Sequence, residues 1–543
     1  MLASVLSATL HGLEGRPIRV EVDVAPGLPG FSIVGLADTA LQEARERVRG
    51  AIRNSGFVYP PRRISVNLAP ADLRKGGASL DLGIAAGILL GSEQVTAAGR
   101  WAVVGELSLG GEIRRVPGLL PMVAALAAHG VTRVIVPSDA MGEARLVSAI
   151  TPVPAATLGE AMALLASPRS RRRAIKPPAR IELVSNAGAG AGRAGNGAPG
   201  GNGHSATELS ATERSAGQLG LDAAMHDLAD VRGQLEARRA LEIALAGGHG
   251  LLLIGPPGAG KTLLARTIPS LLPPLGDAEA LAATVVHSVA GDAPLAGLLR
   301  RPPFRAPHHT ISYAGMVGGG PRLSPGEVSL ADHGVLFLDE LPEFDRDVLE
   351  ALRQPLEEGA VTIVRAGRAE TFPARFQLVA AMNPCPCGQS GAADSACICP
   401  PTLAARYADR ISGPLRDRID LWVSMPRLGP AAIVGNEAPE ASAPVAARIA
   451  TARDRQYARQ SLLNGRLSGR VLRAVCGLRP AAAVRAIELA ELDGMSARGT
   501  ERLLRVARTI ADLADAPGVD EGALEEAARY RSPSRILDRR LAV

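Results

Sequence analysis

The sequence predicts a multidomain α/β protein, and three observations predict it. The apolar run Leu251-Leu252-Leu253-Ile254 feeds a glycine-rich octet that opens a helix-like stretch, the order of a phosphate-binding strand, loop and helix. The first 166 or so residues alternate strand-like and helix-like patterns, which implies an α+β or α/β domain. The last hundred residues read as a series of helices, a small all-helical lid.

At 543 residues the chain has room for roughly three or four domains of ordinary size. In 1–166, Ile18 to Val24 alternates strictly and reads as a half-buried strand; Ala37 to Asn54 has helical spacing and Arg63 to Leu68 is again strand-like. Trp101 to Leu109 and Arg133 to Val136 read as further strands around a helix from Pro121 to His129. Residues 167–220 hold an arginine run at 169–173, Pro177-Pro178 and a Gly/Ala/Asn stretch, and read as a flexible linker that buries too little apolar surface to fold. A nucleotide-binding domain is expected over 221–426 and the lid over 427–543, with helices at 441–460, 466–476, 482–491, 496–515 and 521–531 and Ser496 as an N-cap.

Composition narrows the function. Aromatics are only 3%, so base-stacking platforms are scarce, which argues against a single-strand binder that works through them. The net charge of +6 and pI near 9.3 suit a polyanionic partner, although charge alone is weak support. The N-terminus lacks the basic and apolar regions of a secretory signal, and no stretch of 18 apolar residues occurs. A soluble, cytoplasmic protein with no membrane partner is expected.

Gly255-Pro256-Pro257-Gly258-Ala259-Gly260-Lys261-Thr262 fills G-x-x-x-x-G-K-[ST] at every fixed position, and Lys261 is one of only three lysines in the chain. Glycines let backbone N–H groups turn inward around a triphosphate, and the helix N-terminus adds its positive dipole end. Lys261 is expected on the β- and γ-phosphates and Thr262 on Mg2+. About 80 residues on, the apolar strand Gly334 to Leu338 ends in Asp339-Glu340. Asp339 would hold Mg2+ and Glu340 would polarise the attacking water. A third strand, Phe376 to Ala381, ends at Met382-Asn383-Pro384, where Asn383 can hold that water or sense the γ-phosphate.

Two further features carry alternatives. Val361 to Val364 and Ala369 to Phe372 flank Arg365-Ala366-Gly367-Arg368 and read as a β-hairpin with a basic tip. A solvated tip is one reading of its arginines, Arg365 and Arg368. Cys385-Pro386-Cys387 and Cys397-Ile398-Cys399 are two C-x-C pairs; four thiolates make a closed structural zinc site, the alternatives being metal-free thiols or an iron–sulfur cluster. Cys476 reads as core, and His308-His309 as shaping the insert before the acidic strand.

Longer segments carry a resemblance: Phe304-Arg305-Ala306-Pro307-His308-His309-Thr310, Pro325-Gly326-Glu327-Val328-Ser329-Leu330-Ala331, Phe337 to Phe344 and Ile411-Ser412-Gly413-Pro414-Leu415. Through them the chain resembles the AAA+ ATPases, specifically the magnesium-chelatase-like branch and within it the ComM/YifB family, over nearly its whole length. The resemblance implies an AAA+ core, a homo-hexameric ring and ATP sites between subunits. Arg418 matches the arginine finger and Arg498 the lid arginine that reaches the γ-phosphate; Arg416 departs from the family's usual leucine. In related ring helicases a hairpin before the sensing strand enters the pore, which makes Arg365 and Arg368 candidate DNA contacts.

Residues 1–166 resemble a Lon-protease-like domain, also attached to the RadA branch-migration motor. Lon enzymes use a Ser–Lys dyad. Ser79 falls near the nucleophile position, but Leu120 stands where the lysine belongs and Lys75 lies on the wrong side of the serine. The domain is expected to be catalytically inactive. The leading expectation is an ATP-dependent hexameric DNA motor for branch migration or unwinding in recombination and natural transformation. Its partners would be branched or single-stranded DNA and recombination proteins. The alternative is a metal-chelatase-type motor subunit that remodels a protein partner.

Overall fold

The computed structural model describes residues 1–35, 39–71, 77–166, 226–291, 293–320, 323–365, 368–390, 397–429 and 439–531. The expected linker and Lys75 lie outside the described residues. The chain divides into two compact units: residues 1–166 with Gly291–Gly297, and 226–290 with 298–531. Both are mixed α/β.

The first unit is built on a seven-stranded sheet. Leu2–His11 and Glu14–Ala25 form an antiparallel hairpin turned at Gly12, whose φ of 57° is the left-handed conformation a tight turn needs. Arg63–Ala69 pairs antiparallel with Glu14–Ala25, and Gly30–Val34 lies parallel beyond it. On the other side Ala102–Val103, Arg133–Pro137 and Thr151–Ala155 add in parallel. The strict alternation of Ile18 to Val24 places Ile18, Val20, Val22 and Val24 in one core with the helices Thr39–Asn54 and Asp81–Gly91. Ala8, Ala102 and Val134 face a second core with the helix Leu119–Ala128. The expected strand over Trp101 to Leu109 is two short strands, Ala102–Val103 and Glu106–Leu107. Between them the N–H groups of Val104 and Gly105 donate to Ile135 and Ser79 carbonyls rather than continuing one ladder.

The second unit centres on a five-stranded parallel sheet in the spatial order Phe304–Arg305, Val335–Leu338, Gln377–Met382, Leu251–Ile254, Leu421–Ser424. The strand before the glycine loop is therefore interior, and every residue of it is buried. That explains a continuous apolar run rather than an alternating one. The helices Ser442–Gln460, Gly469–Cys476, Pro480–Leu492, Ala497–Leu513 and Glu521–Arg529 fall where helical periodicity put them. Ser496 caps Ala497–Leu513 by accepting from the Gly499 N–H. These helices share one hydrophobic core with the sheet, from Leu228 to Tyr530. Asp512 is buried between Arg459, which grips it through two bonds of 2.8 and 2.9 Å, and Arg508 at 2.7 Å. This pins Ala497–Leu513 to Ser442–Gln460.

The hairpin is present as Ala360–Arg365 paired with Arg368–Pro373, with Arg365 opposite Arg368. Its apex, Ala366-Gly367, lies outside the described residues. No helix among the described residues is long and apolar enough to cross a membrane.

Candidate nucleotide site

Three parallel strands end at the same edge of the second sheet, and each delivers one part of the site. After Leu251–Ile254 comes the glycine loop, with Gly258 and Gly260 at φ of 79° and 90°, conformations that side chains resist. The helix Lys261–Arg266 follows immediately. After Val335–Leu338 come Asp339 and Glu340, and after Gln377–Met382 comes Asn383. Carboxyl ends of parallel strands are where open α/β sheets bind ligands. A cleft of about 380 Å³ is lined by the loop from Pro257 to Thr262, Asp339, Glu340 and Asn383.

The polar groups already contact one another. Lys261 Nζ donates to the carbonyls of Gly255 and Pro256 at 2.6 and 3.1 Å and to Asn383 Oδ1 at 3.1 Å. Burial lowers the Lys261 pKa, while the charges of Asp339 and Glu340 oppose that shift. Thr262 Oγ1 donates to Asp339 Oδ2 at 2.5 Å, so a hydroxyl and a carboxylate lie side by side, the hard-oxygen donor set suited to Mg2+. Glu340 has φ of 54°, a left-handed conformation that costs a non-glycine residue on the order of 1 kcal/mol and is commonly retained at working sites.

Two residues that local sequence reading missed belong to this site. His309 Nδ1 lies 3.3 Å from Glu340 Oε2, and its ring meets Phe344 edge-on. The available signal was Phe304–Arg305, the strand that pairs with the acidic strand and precedes His309. Gln234, at φ of 50°, donates from Nε2 to the carbonyls of Ala259 and Pro426 and so holds the glycine loop from behind. Nothing near Gln234 in the sequence marks it.

Arg418 and Arg498 do not line this cleft. Asp420 and Leu421 N–H groups donate to the Gly250 carbonyl, and a Cβ on Gly250 would meet the Arg418 carbonyl at 2.6 Å. Arg418 thus stands at the amino end of the strand whose carboxyl end carries the loop, roughly 16 Å away at the usual strand rise. Its side chain pairs with Glu357. Burial lowers its pKa first, and the charges of Arg498, Arg502, Arg505 and Arg353 add to that. Arg418 therefore stands at the amino-terminal end of the sheet, where the charge of Arg498 also acts on it. Arg365 and Arg368 face each other at the described end of the hairpin.

The four cysteines Cys385, Cys387, Cys397 and Cys399 gather their sulfurs within 4.8 Å of one another. Cys476 is buried elsewhere, with its thiol toward the Leu504 carbonyl. In the first unit, Ser79 Oγ donates to the Ala8 carbonyl at 3.1 Å and is buried. Leu120 is buried too.

Fold and cleft define a P-loop protein of the magnesium-chelatase type. Residues 227–433 match the family described as "Magnesium chelatase, subunit ChlI", residues 20–140 "Subunit ChlI of Mg-chelatase", and residues 439–531 its C-terminal region. YifB of Escherichia coli is 41% identical over 99% of this chain and 98% of its own. Competence protein ComM of Haemophilus influenzae is 39% identical over 99% of both. The magnesium-chelatase subunit ChlI of Euglena gracilis is 26% identical over 25% of this chain and 45% of its own. The chain belongs to the ComM/YifB family of magnesium-chelatase-like AAA+ proteins, a membership that implies the use of ATP and Mg2+.

Proposed function

We propose that this chain is an ATP-driven DNA motor that works as a ring, hydrolysing ATP at junctions between copies and promoting branch migration or unwinding of DNA. The observation that carries the reading is the separation of Lys261 from Arg418 and Arg498. A transition-state arginine has to reach the γ-phosphate. Here Arg418 stands at the opposite end of the sheet from the chain's own cleft and Arg498 does not line that cleft, which favours delivery of both by a second copy. Hexamers of the AAA+ kind satisfy this by head-to-tail contacts that close.

In that reading the loop N–H groups and Lys261 bind the phosphates, and Thr262 and Asp339 would hold Mg2+, which would supply neutralisation of phosphate charge when bound. Glu340 orients and accepts a proton from water, with Asn383 beside it. His309 holds the Glu340 carboxylate in position. Arg365 and Arg368 sit on a hairpin that would meet DNA phosphates within the ring. Residues 1–166 form the Lon-protease-like leader; the Ser79 hydroxyl, buried on a backbone carbonyl, supports a non-catalytic scaffold. The name ComM on one relative favours a role in the uptake or recombination of transforming DNA, in the cytoplasm.

Mixing tests the shared site. Arg418→Ala and Lys261→Ala are each expected to abolish turnover alone. Equal mixing should restore about a quarter of the parental ATPase, since a quarter of random junctions pair an intact loop with an intact arginine. No recovery, with both variants still assembling, overturns the shared site. ATP-dependent displacement of branched DNA, falling steeply with salt as counterion release requires, supports the DNA motor. Intact ATPase without displacement favours the chelatase-type motor that remodels a protein.

A further inference from the structure

The segment between the strand Gln377–Met382 and the helix Pro401–Ala408 carries Cys385, Cys387, Cys397 and Cys399, and none of the four is in a disulfide. Cys385 Sγ is 3.4 Å from Cys387 Sγ and 3.7 Å from Cys397 Sγ, and Cys387 and Cys397 are 3.6 Å apart. Cys399 completes a group whose sulfurs all lie within 4.8 Å of one another. A tetrahedron of thiolates about one Zn2+, each at about 2.3 Å, has edges of about 3.8 Å. The sulfurs are therefore already at the spacing one small ion imposes. A four-iron cluster puts each thiolate on a different iron, and so holds the sulfurs apart by the width of the cluster rather than of one ion. Sulfur-only tetrahedral donors select zinc over the hard cations used by the nucleotide site.

The same segment touches the phosphate-binding loop. Cys385 follows Asn383 by two residues, and Asn383 Oδ1 accepts from Lys261. Gly388, at φ of 75°, lies so close to the loop that a Cβ there would meet Pro257 Cδ at 2.6 Å and Asn383 Cγ at 3.8 Å.

We propose that Cys385, Cys387, Cys397 and Cys399 bind one structural Zn2+, and that this closed site clamps the segment that holds Asn383 and packs on Pro257. The site has four protein ligands and leaves no position for substrate, so it supplies position and not chemistry. The second half of the proposal rests on the nucleotide-site reading above; the first does not.

The test begins with zinc content and with Co2+ substitution of the full chain purified under reducing conditions without chelators. One equivalent of zinc per chain is expected, together with the intense charge-transfer and ligand-field absorption of tetrahedral tetrathiolate Co2+. Cys399→Ser should lose the four-sulfur spectrum, Cys399→His should keep a metal with a shifted spectrum, and Cys476→Ser should leave both unchanged. Cys385→Ser, at a buried position, serves as a folding check by the emission of Trp422 in a Trp101→Phe background. Lys261→Ala should retain its zinc while losing nucleotide, which separates failure of this proposal from failure of the ATP reading. For the clamp, Cys399→Ser should lower kcat for ATP at least threefold, with recovery in the metal-retaining Cys399→His. Absence of metal from the reduced chain, or a Co2+ spectrum unchanged by Cys399→Ser, overturns the site; unchanged kcat in a folded, metal-free Cys399→Ser overturns the clamp.

Discussion

Both units hold a polar cluster beside an α/β sheet: the one in residues 226–531 lines a cleft, and the one in the first unit centres on a fully buried carboxylate. At the glycine loop, Lys261 leans on two carbonyls and Asn383, and Thr262 leans on Asp339. Each of those partners can be exchanged for a phosphate oxygen or a metal ion. In the first unit, Asp81 is fully buried and gripped by Arg47 at 2.7 and 3.1 Å, with the Leu107 N–H at 3.4 Å. Burial pushes its pKa up to about 6 against the pull of Arg47. Ser79 beside it is spent on a carbonyl. Buried polar groups with fixed internal partners specify packing, whereas the same kinds of group at the open end of parallel strands can bind and react.

The largest expected effect breaks the open cluster. Lys261→Ala should weaken ATP binding more than about 100-fold by equilibrium titration, because the loop loses its one cationic side chain. Glu340→Gln should bind ATP normally and turn over about 1,000-fold more slowly; parental turnover would remove Glu340 from the chemistry.

The sealed cluster should respond in stability and not in binding. Asp81→Ala leaves Arg47 half-stranded and should cost the first unit about 3 kcal/mol. The chain's two tryptophans separate the readout, since Trp101 reports the first unit and Trp422 the second. Denaturation of a Trp422→Phe background followed at Trp101 should show the loss, with nucleotide affinity unchanged.

A pH-dependent effect, of about the same size only in the acid limit and smaller between pH 7 and 5, belongs to His287 in the second unit. Burial, reinforced by the charge of Arg305, holds its pKa down to about 4. The unfolded chain protonates it near 6.5, so its contribution is full above that pH and drains as pH falls toward 4, by about 3 kcal/mol in the limit. Melting followed at Trp422 in a Trp101→Phe background between pH 7 and 5 should therefore fall more steeply with His287 present than in His287→Gln. Equal slopes would show that His287 is not the linked group.

The smallest effect is Ser79→Ala, expected to cost about 1 kcal/mol or less in the first unit and nothing in ATPase. A measurable peptidase activity lost in this variant would overturn the scaffold reading.

These contrasts mark how far the sequence could be read. The loop, the acidic strand end and Asn383 were legible because each motif sits within a few residues of an apolar run whose period names its strand. The C-terminal helices were legible for the same reason, with Ser496 even marking a boundary. His309 and Gln234 were not, because both act across chain separations that periodicity does not see: His309 reaches Glu340 only when Phe304–Arg305 pairs with Val335–Leu338. The first strand, Leu2–His11, went unread because its two faces serve different cores and its apolar pattern blurs.

The amino-acid order alone determined that this chain has a glycine-rich loop with a lysine, an apolar strand ending in two acids, a basic hairpin and two C-x-C pairs. Each is a local pattern whose residues are chemically committed by type and spacing. Only tertiary structure decided which of these meet. Strand order puts Gln377–Met382 between the loop strand and the acidic strand, so Asn383 touches Lys261; it leaves Arg418 at the opposite end of the sheet, out of reach of its own cleft. The reason is geometric: pairing partners and the two ends of a strand are fixed by the whole sheet, and no window of sequence contains them.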